Sequence, residues 1–242
     1  MSQTSPLLQH LKELRTRLLH CVTATILMGV IAFLFFNPLI AFFASPFEQI
    51  HSQLSANLYV TSLFEGFLTK FKFSLLMGAI LATPLLLFHL LRFVLPGLHA
   101  KERRLLILAI ISGLFLSSAA FYMVYFKLLP FSIQFLTSHQ FIPHDIGILL
   151  NYHESIFYVF NLIIYTILLF QFPIILALLL YMNMIQTQTL LSMSRYVVIG
   201  ILVLSAIVTP PDLVTQLGLA GPLIALYFST IGLAKVFNWG CK

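Results

Sequence analysis

Long apolar runs separated by short polar intervals organise this chain. Runs of about 20 mainly apolar residues, the length a bilayer-crossing helix requires, occur near 20–43, 73–93, 105–126 and 155–181, and two more follow at 196–208 and 213–234. The pattern predicts an all-α, polytopic integral membrane protein, with residues 1–242 forming a single six-helix domain. The fifth run is short, because Arg195 and the Thr209-Pro210-Pro211-Asp212 turn bound it. It leaves about 13 residues, roughly 20 Å of helix against a hydrocarbon core of about 30 Å. Local bilayer thinning, or shielding by partner chains, is implied there. The stretches 44–72 and 127–154 carry aromatics, prolines and amphipathic patches, and are expected to lie as caps at the outer interface. Pro84, Pro173 and Pro222 interrupt spans, and are expected to bend helices and favour a concave arrangement.

Composition agrees with that solvent assignment. Of the 242 residues 60% are apolar and 8% charged, with a mean hydropathy of +1.01, more apolar surface than a water-soluble fold can cover. The net charge of +6 acquires meaning only when mapped onto the spans. Lys12, Arg15, Arg17, Arg92, Lys101, Arg103, Arg104, Arg195, Lys235 and Lys242 fall on one side of the six-span pattern, which marks that side as cytoplasmic. Both termini are therefore expected in the cytoplasm. Lys70, Lys72 and Lys127 fall on the other side, each at a helix end from which its stem can snorkel. The charge thus reports topology and gives no ground for a nucleic-acid partner. Cys21 and Cys241 offer no disulfide framework, and the first run is expected to remain as an anchor rather than be cleaved.

Candidate chemistry is sparse. No zinc-protease, serine-hydrolase or nucleotide-loop motif is present, and the eight histidines show no ligand spacing, so no enzyme, metal or cofactor is expected. Near the N-terminus, Pro6 follows Ser5, and Leu7, Leu11, Leu14 and Leu18 share one face, which predicts an amphipathic interfacial helix. Its polar face carries Glu13 and Arg17, whose spacing of four also suits a simple surface pair. Glu102 falls in the first turn of the third helix, where a carboxylate favours the helix dipole whatever its function. Glu13 and Glu102 are nonetheless the two acids of the cytoplasmic side, set among many cations, and such a pair suits a dibasic ligand. Within the fourth span, Gln171 needs a hydrogen-bond partner or a hydrated cavity. Interhelical structural bonding explains it equally well.

Taken together, the residues resemble the TatC family, the multispanning core subunits of the twin-arginine protein translocase. The resemblance rests on His10-Leu-Lys-Glu13-Leu-Arg15-Thr-Arg17-Leu, Thr61-Ser62 with Glu65, Gly78, Pro84, Phe93, Pro96-Gly97-Leu98 and Glu102-Arg103-Arg104. It continues through Tyr125-Phe126, Pro130, Phe170-Gln171-Phe172-Pro173, Arg195-Tyr196, Thr209-Pro210-Pro211-Asp212, Gln216, Pro222 and Leu226-Tyr227. Gln171 stands where many members have glutamate. The resemblance implies recognition of signal peptides with paired arginines, and passage of folded proteins across the cytoplasmic (inner) membrane driven by the proton-motive force. It implies contact of the arginine pair with Glu13 and Glu102, on a surface shaped by Arg15, Arg17, Phe93, Arg103 and Arg104. It further implies single-span partner subunits of the TatA and TatB types, self-association in a complex, and a lipid environment. The short fifth span with Thr209, Pro210, Pro211, Asp212 and Gln216 is the expected contact for those partners. A secondary transporter or ion channel, and a purely structural assembly scaffold, are the competing classes, although almost no ionisable residue lies within the spans.

Overall fold

The computed structural model describes the backbone of residues 6–54, 57–94, 100–138, 149–210 and 212–240, and the side chains of these except 6–11, 13, 48–54, 57, 87, 90–94 and 100–106. Helices α1 (Pro6–Leu34), α2 (Phe36–Leu54), α3 (Glu65–Val94) and α4 (Ala100–Met123) come first. A π-helical turn, Val124–Leu128, leads into α5 (Leu129–Leu136). Then follow α6 (Tyr152–Leu169), α7 (Phe172–Tyr181), α8 (Thr187–Val208) and α9 (Leu213–Val236). Two three-residue strands, β1 (Asn57–Tyr59) and β2 (Leu149–Asn151), pair into a small sheet. Among the described residues six helical stretches are long and apolar enough to cross a membrane, so the expected all-α, six-span architecture is borne out.

Prolines explain where two of these stretches are interrupted. A proline lacks an N–H, and its ring crowds the carbonyl four residues earlier. Pro38 accounts in this way for the interruption at Phe35 between α1 and α2, and Pro173 for the turn at Phe170–Gln171 between α6 and α7. Pro130 acts on the carbonyl of Phe126, inside the π-helical turn, and the wider turn absorbs the conflict without ending the helix. The third stretch consequently runs Ile107–Leu136, past the 126 boundary expected from hydropathy. Part of the anticipated outer cap at 127–154 is thus a continuation of the span. Pro84 and Pro222, by contrast, sit inside the unbroken helices α3 and α9. The fifth helix also differs from its expected bounds. Its 22 residues begin at Thr187 and give about 33 Å of helix, enough to cross a hydrocarbon core. Only the apolar surface beyond Arg195 is short, because hydropathy excluded the more polar residues 187–195, which are helical.

The chain divides into two compact units. The first comprises Met1–Ala44, Tyr59–Leu114 and Asn151–His153. Within it α1 lies along α3 at a glycine crossing. A Cβ on Gly78 would fall 2.6 Å from the Gly29 Cα and 2.5 Å from the Thr25 carbonyl oxygen, so only glycine permits this approach. Phe73 fills the space further along, fully buried with edge-on contacts to Phe36 and Phe43 at centroid distances of 5.7 and 5.2 Å.

The second unit comprises Ser45–Leu58, Phe115–Leu150 and Glu154–Lys242. Its core is carried by α6, where Ile156, Val159, Phe160 and Ile163 recur at helical spacing and are fully buried, and by α9 through Leu219, Leu223 and Tyr227. Helix α9 packs against α7 and α8. The Tyr227 hydroxyl donates to the Leu190 carbonyl of α8 at 2.8 Å, which satisfies a phenol that is wholly out of solvent.

Candidate functional site

Of the residues expected at a cytoplasmic peptide site, Arg15 and Arg17 on α1 are described, while the side chains of Glu13, Phe93, Glu102, Arg103 and Arg104 lie outside the described residues. Arg15 is exposed. Arg17 is half-buried and its Nη1 donates to the His89 carbonyl of α3 at 3.4 Å. A cation near the end of α3 at Val94 is favoured by the helix dipole and by the carbonyls of that end. The His20 and His89 rings stack beside it, 5.6 Å apart and inclined by 16°. Sequence spacing left a surface pair with Glu13 as one account of Arg17; the structure adds that its guanidinium reaches α3.

Gln171 is buried at the turn between α6 and α7. Its Nε2 donates to the Ser117 hydroxyl of α4 at 2.9 Å and to the Ile167 carbonyl at 3.4 Å. The helix break and the amide act together. The amide ties the turn to α4. This is the interhelical bonding that the sequence left as one of two readings.

Thr209, Asp212 and Gln216 come together in the hairpin joining α8 to α9; Pro211 lies outside the described residues. Thr209 closes α8, its backbone N–H and hydroxyl both donating to the Ser205 carbonyl at 2.9 and 2.8 Å. Pro210 ends the helix, and its carbonyl accepts from the Asp212 N–H at 2.7 Å. Asp212 is the N-cap of α9: its carboxylate accepts from the Thr215 N–H at 2.7 Å and also from the Thr215 hydroxyl. Gln216 reaches back from α9, its Nε2 donating to the Leu202 carbonyl of α8 at 3.0 Å. Thr209, Asp212 and Gln216 thus each bond within the corner or to the helices it joins.

Beside this hairpin, in the second unit, runs an apolar groove of about 560 Å³. Tyr165, Leu168 and Phe172 form one wall and Val197, Gly200 and Leu204 of α8 the other. Nothing meets a Cβ built on Gly200, so this glycine is a notch in the groove wall. Hydropathy could not reveal the groove, because it depends on which faces of apolar helices stay uncovered.

A second constellation was visible only as residues matched in the resemblance. In the first unit, Glu65 opens α3, and its Oε2 accepts from the Thr61 N–H at 2.6 Å, the Thr61 hydroxyl at 2.7 Å and the Ser62 N–H at 3.1 Å. Its Oε1 accepts from the His153 N–H at 3.2 Å, while the Thr69 hydroxyl lies 2.7 Å from His153 Nδ1. Ser62 followed three positions later by a glutamate is the capping-box signal, and would have located this helix start.

The chain matches the family model for TatC, Sec-independent protein translocase protein, over residues 9–222. It is 31% identical to the Sec-independent protein translocase protein TatC of Desulforapulum autotrophicum over 98% of this chain and 86% of that one. It is 33% identical to the protein of the same name from Synechocystis, over 96% and 89% of the two chains. In three dimensions it is similar to a crystal structure of the twin arginine translocase receptor TatC in DDM, with a TM-score of 0.81 and 29% identity across 93% of this chain and 98% of that one.

Proposed function

The chain belongs to the TatC family of Sec-independent protein translocase proteins, and on that premise we propose that it is the twin-arginine signal-peptide receptor and core subunit of a translocase that exports folded proteins. On this reading it is a multi-pass, non-enzymatic protein of the cytoplasmic membrane, with both termini placed inside by its lysine and arginine bias. The observation that carries this reading is the agreement with a solved twin arginine translocase receptor over nearly the whole of both chains. Export draws on the proton-motive force.

Glu13 and Glu102 receive the two guanidinium groups of the signal. Carboxylates accept the planar guanidinium fork through paired hydrogen bonds, a geometry an ammonium does not reproduce, so lysine substitutes poorly. Arg15, Arg17, Phe93, Arg103 and Arg104 shape the surrounding surface. The apolar stretch of the signal then gains energy by lying against exposed helix faces. Gln171, tied to Ser117, acts after recognition, during passage of the cargo.

Partner subunits of the TatA and TatB types seat a single apolar helix in the groove between Tyr165 to Phe172 and α8, next to the Thr209 to Gln216 corner. Three features support this seat: the lining is apolar, Gly200 lets another helix approach closely, and the corner fixes the two helices beside it.

The test is site-specific crosslinking of a signal peptide to the protein in native membranes, comparing Arg-Arg with Lys-Lys. Labelling should fall strongly with Lys-Lys and with Glu13→Ala plus Glu102→Ala. Equal labelling in all three cases would overturn the peptide site. Gln171→Leu should reduce export while leaving that labelling intact, and normal export by this variant removes Gln171 from the mechanism.

A further inference from the structure

Helices α7 and α9 end in the same way. Asn183 and Asn238 both have positive φ, 53° and 54°, one residue past the helix cap. After α7, the Met184 N–H donates to the Leu179 carbonyl and the Asn183 N–H to the Leu180 carbonyl, each at 3.0 Å. After α9, the Trp239 N–H donates to the Ala234 carbonyl at 2.8 Å and the Asn238 N–H to the Lys235 carbonyl at 3.2 Å. Each is a Schellman closure with asparagine in the left-handed position.

The two closures are bolted together. The Gly240 N–H donates to the Asn183 side-chain Oδ1 at 3.2 Å, and the Gly240 carbonyl accepts from the Thr187 N–H at 3.2 Å. The Thr187 hydroxyl donates to the Trp239 carbonyl at 2.7 Å. The Trp239 ring meets Tyr181 edge-on at 5.5 Å and stacks on Phe237 at 5.4 Å. Thr187 is the first residue of α8, and its N-cap, Gln186, supplies no side-chain cap. The first N–H groups of a helix have no partner within it. Here a carbonyl from the segment after α9 takes that place. Gly240 suits the role, since its φ is +67° and a Cβ would sit 2.7 Å from the Ile185 carbonyl oxygen.

We infer that residues 237–240 form a strap that caps α8 and fixes where its Val197, Gly200 and Leu204 face stands, so that occupancy of the groove by a partner helix depends on Thr187, Asn183 and Gly240. This rests on the reading of the groove as a partner seat. A helix held at both ends, by the strap at Thr187 and by the corner at Thr209, presents its groove face in one position. Released at Thr187, it is free to pivot about the corner, and the groove loses its fixed width. Thr187, Asn183 and Gly240 are positioning residues; they do not line the groove.

The experiment uses the full-length protein in membranes containing its single-span partners. One readout is disulfide yield between Leu204→Cys, on the same groove face, and a cysteine in a partner's apolar helix. The second is amide exchange at Thr187, and the third is Arg-Arg signal-peptide labelling. Gly240→Ala and Thr187→Val should each speed exchange at Thr187 about fivefold and lower the disulfide yield about threefold, with peptide labelling unchanged. Thr187→Ser, which keeps the donor, should restore the yield. Unaltered exchange and yield in both variants would overturn the strap, as would an equal fall in peptide labelling. If Leu204→Cys in the otherwise unsubstituted chain gives no partner disulfide while Gly240→Ala still speeds exchange, the strap stands as a cap of α8 and the groove reading is what fails.

Discussion

The fourth span, from Glu154 onward, and the fifth span lie in the same unit and are both strongly apolar, yet they live in different surroundings. Across Tyr152–Tyr181, 56% of the most apolar window is buried within the protein; across Thr187–Val208 the share is 11%. Helix α6 turns a full face inward through Ile156, Val159, Phe160 and Ile163. Helix α8 buries Thr187, Leu190, Ile201 and Ser205 and leaves Ile199, Val203, Leu204 and Ile207 exposed. In water such a surface would drive association by itself. In hydrocarbon it does not, because lipid tails are as apolar as leucine, so shape and close backbone approach must select the neighbour. An apolar run therefore announces its solvent without telling protein from lipid.

Mutation separates the two environments sharply at a fully buried and a well-exposed position. Phe160→Ala should cost about 3 kcal/mol or more, seen as a large fall in the melting temperature of the detergent-solubilised protein, because it empties a closed site. Ile199→Ala, at a position 58% exposed on α8, should change stability by less than about 0.5 kcal/mol. Comparable losses at both positions would erase the contrast between the spans.

The next effect concerns the bond between the fifth span and its neighbour α9. Tyr227→Phe removes one hydroxyl and leaves the packing, so a loss of about 1 kcal/mol is expected, with the Leu190 amide region of α8 exchanging faster. At the corner, Asp212→Ala should cost about 1 kcal/mol through loss of the α9 cap, whereas Asp212→Asn, which can still accept from the Thr215 N–H, should cost only a few tenths. Equal melting temperatures for the two Asp212 variants would show that the cap contributes nothing there.

Much of the fold was legible before any coordinates. Six spans, their order and a pivotal proline at the fourth followed from run length and from the ring geometry of Pro173. The third span's extension to Leu136 was not legible, since a proline can end a helix or be absorbed by a π-helical turn, and neighbouring helices decide which. The start of α8 at Thr187 was hidden because hydropathy discards polar residues that a cap supplied from elsewhere makes helical. Gly78 appeared in the sequence only as a matched position; its reason, contact with Gly29, is a property of two helices together. The hairpin residues Thr209, Asp212 and Gln216 were singled out for partner contact, and the structure gives each an internal bond to α8 or α9. If the proposed partner seat holds, their effect on a partner should pass through the position of α8. Glu13 and Glu102 were distinguished by charge pattern, a signal that needs no coordinates.

The smallest stability effect belongs to the groove itself, and there the contrast between the spans becomes a functional test. Gly200 lies mid-helix on α8, and a Cβ added there meets no atom within 4 Å. Leucine favours helical backbone over glycine by about 0.8 kcal/mol in aqueous hosts, so Gly200→Leu should melt at or slightly above the temperature of the unsubstituted protein. The same side chain would project into the space between α8 and the wall at Tyr165 and Phe172, and deny another helix its close approach. Co-purification of single-span partners should then fall while signal-peptide labelling stays constant. Destabilisation by this variant would mean that the groove is closed by the protein's own helices, and unchanged co-purification would place the partner on another face of the unit.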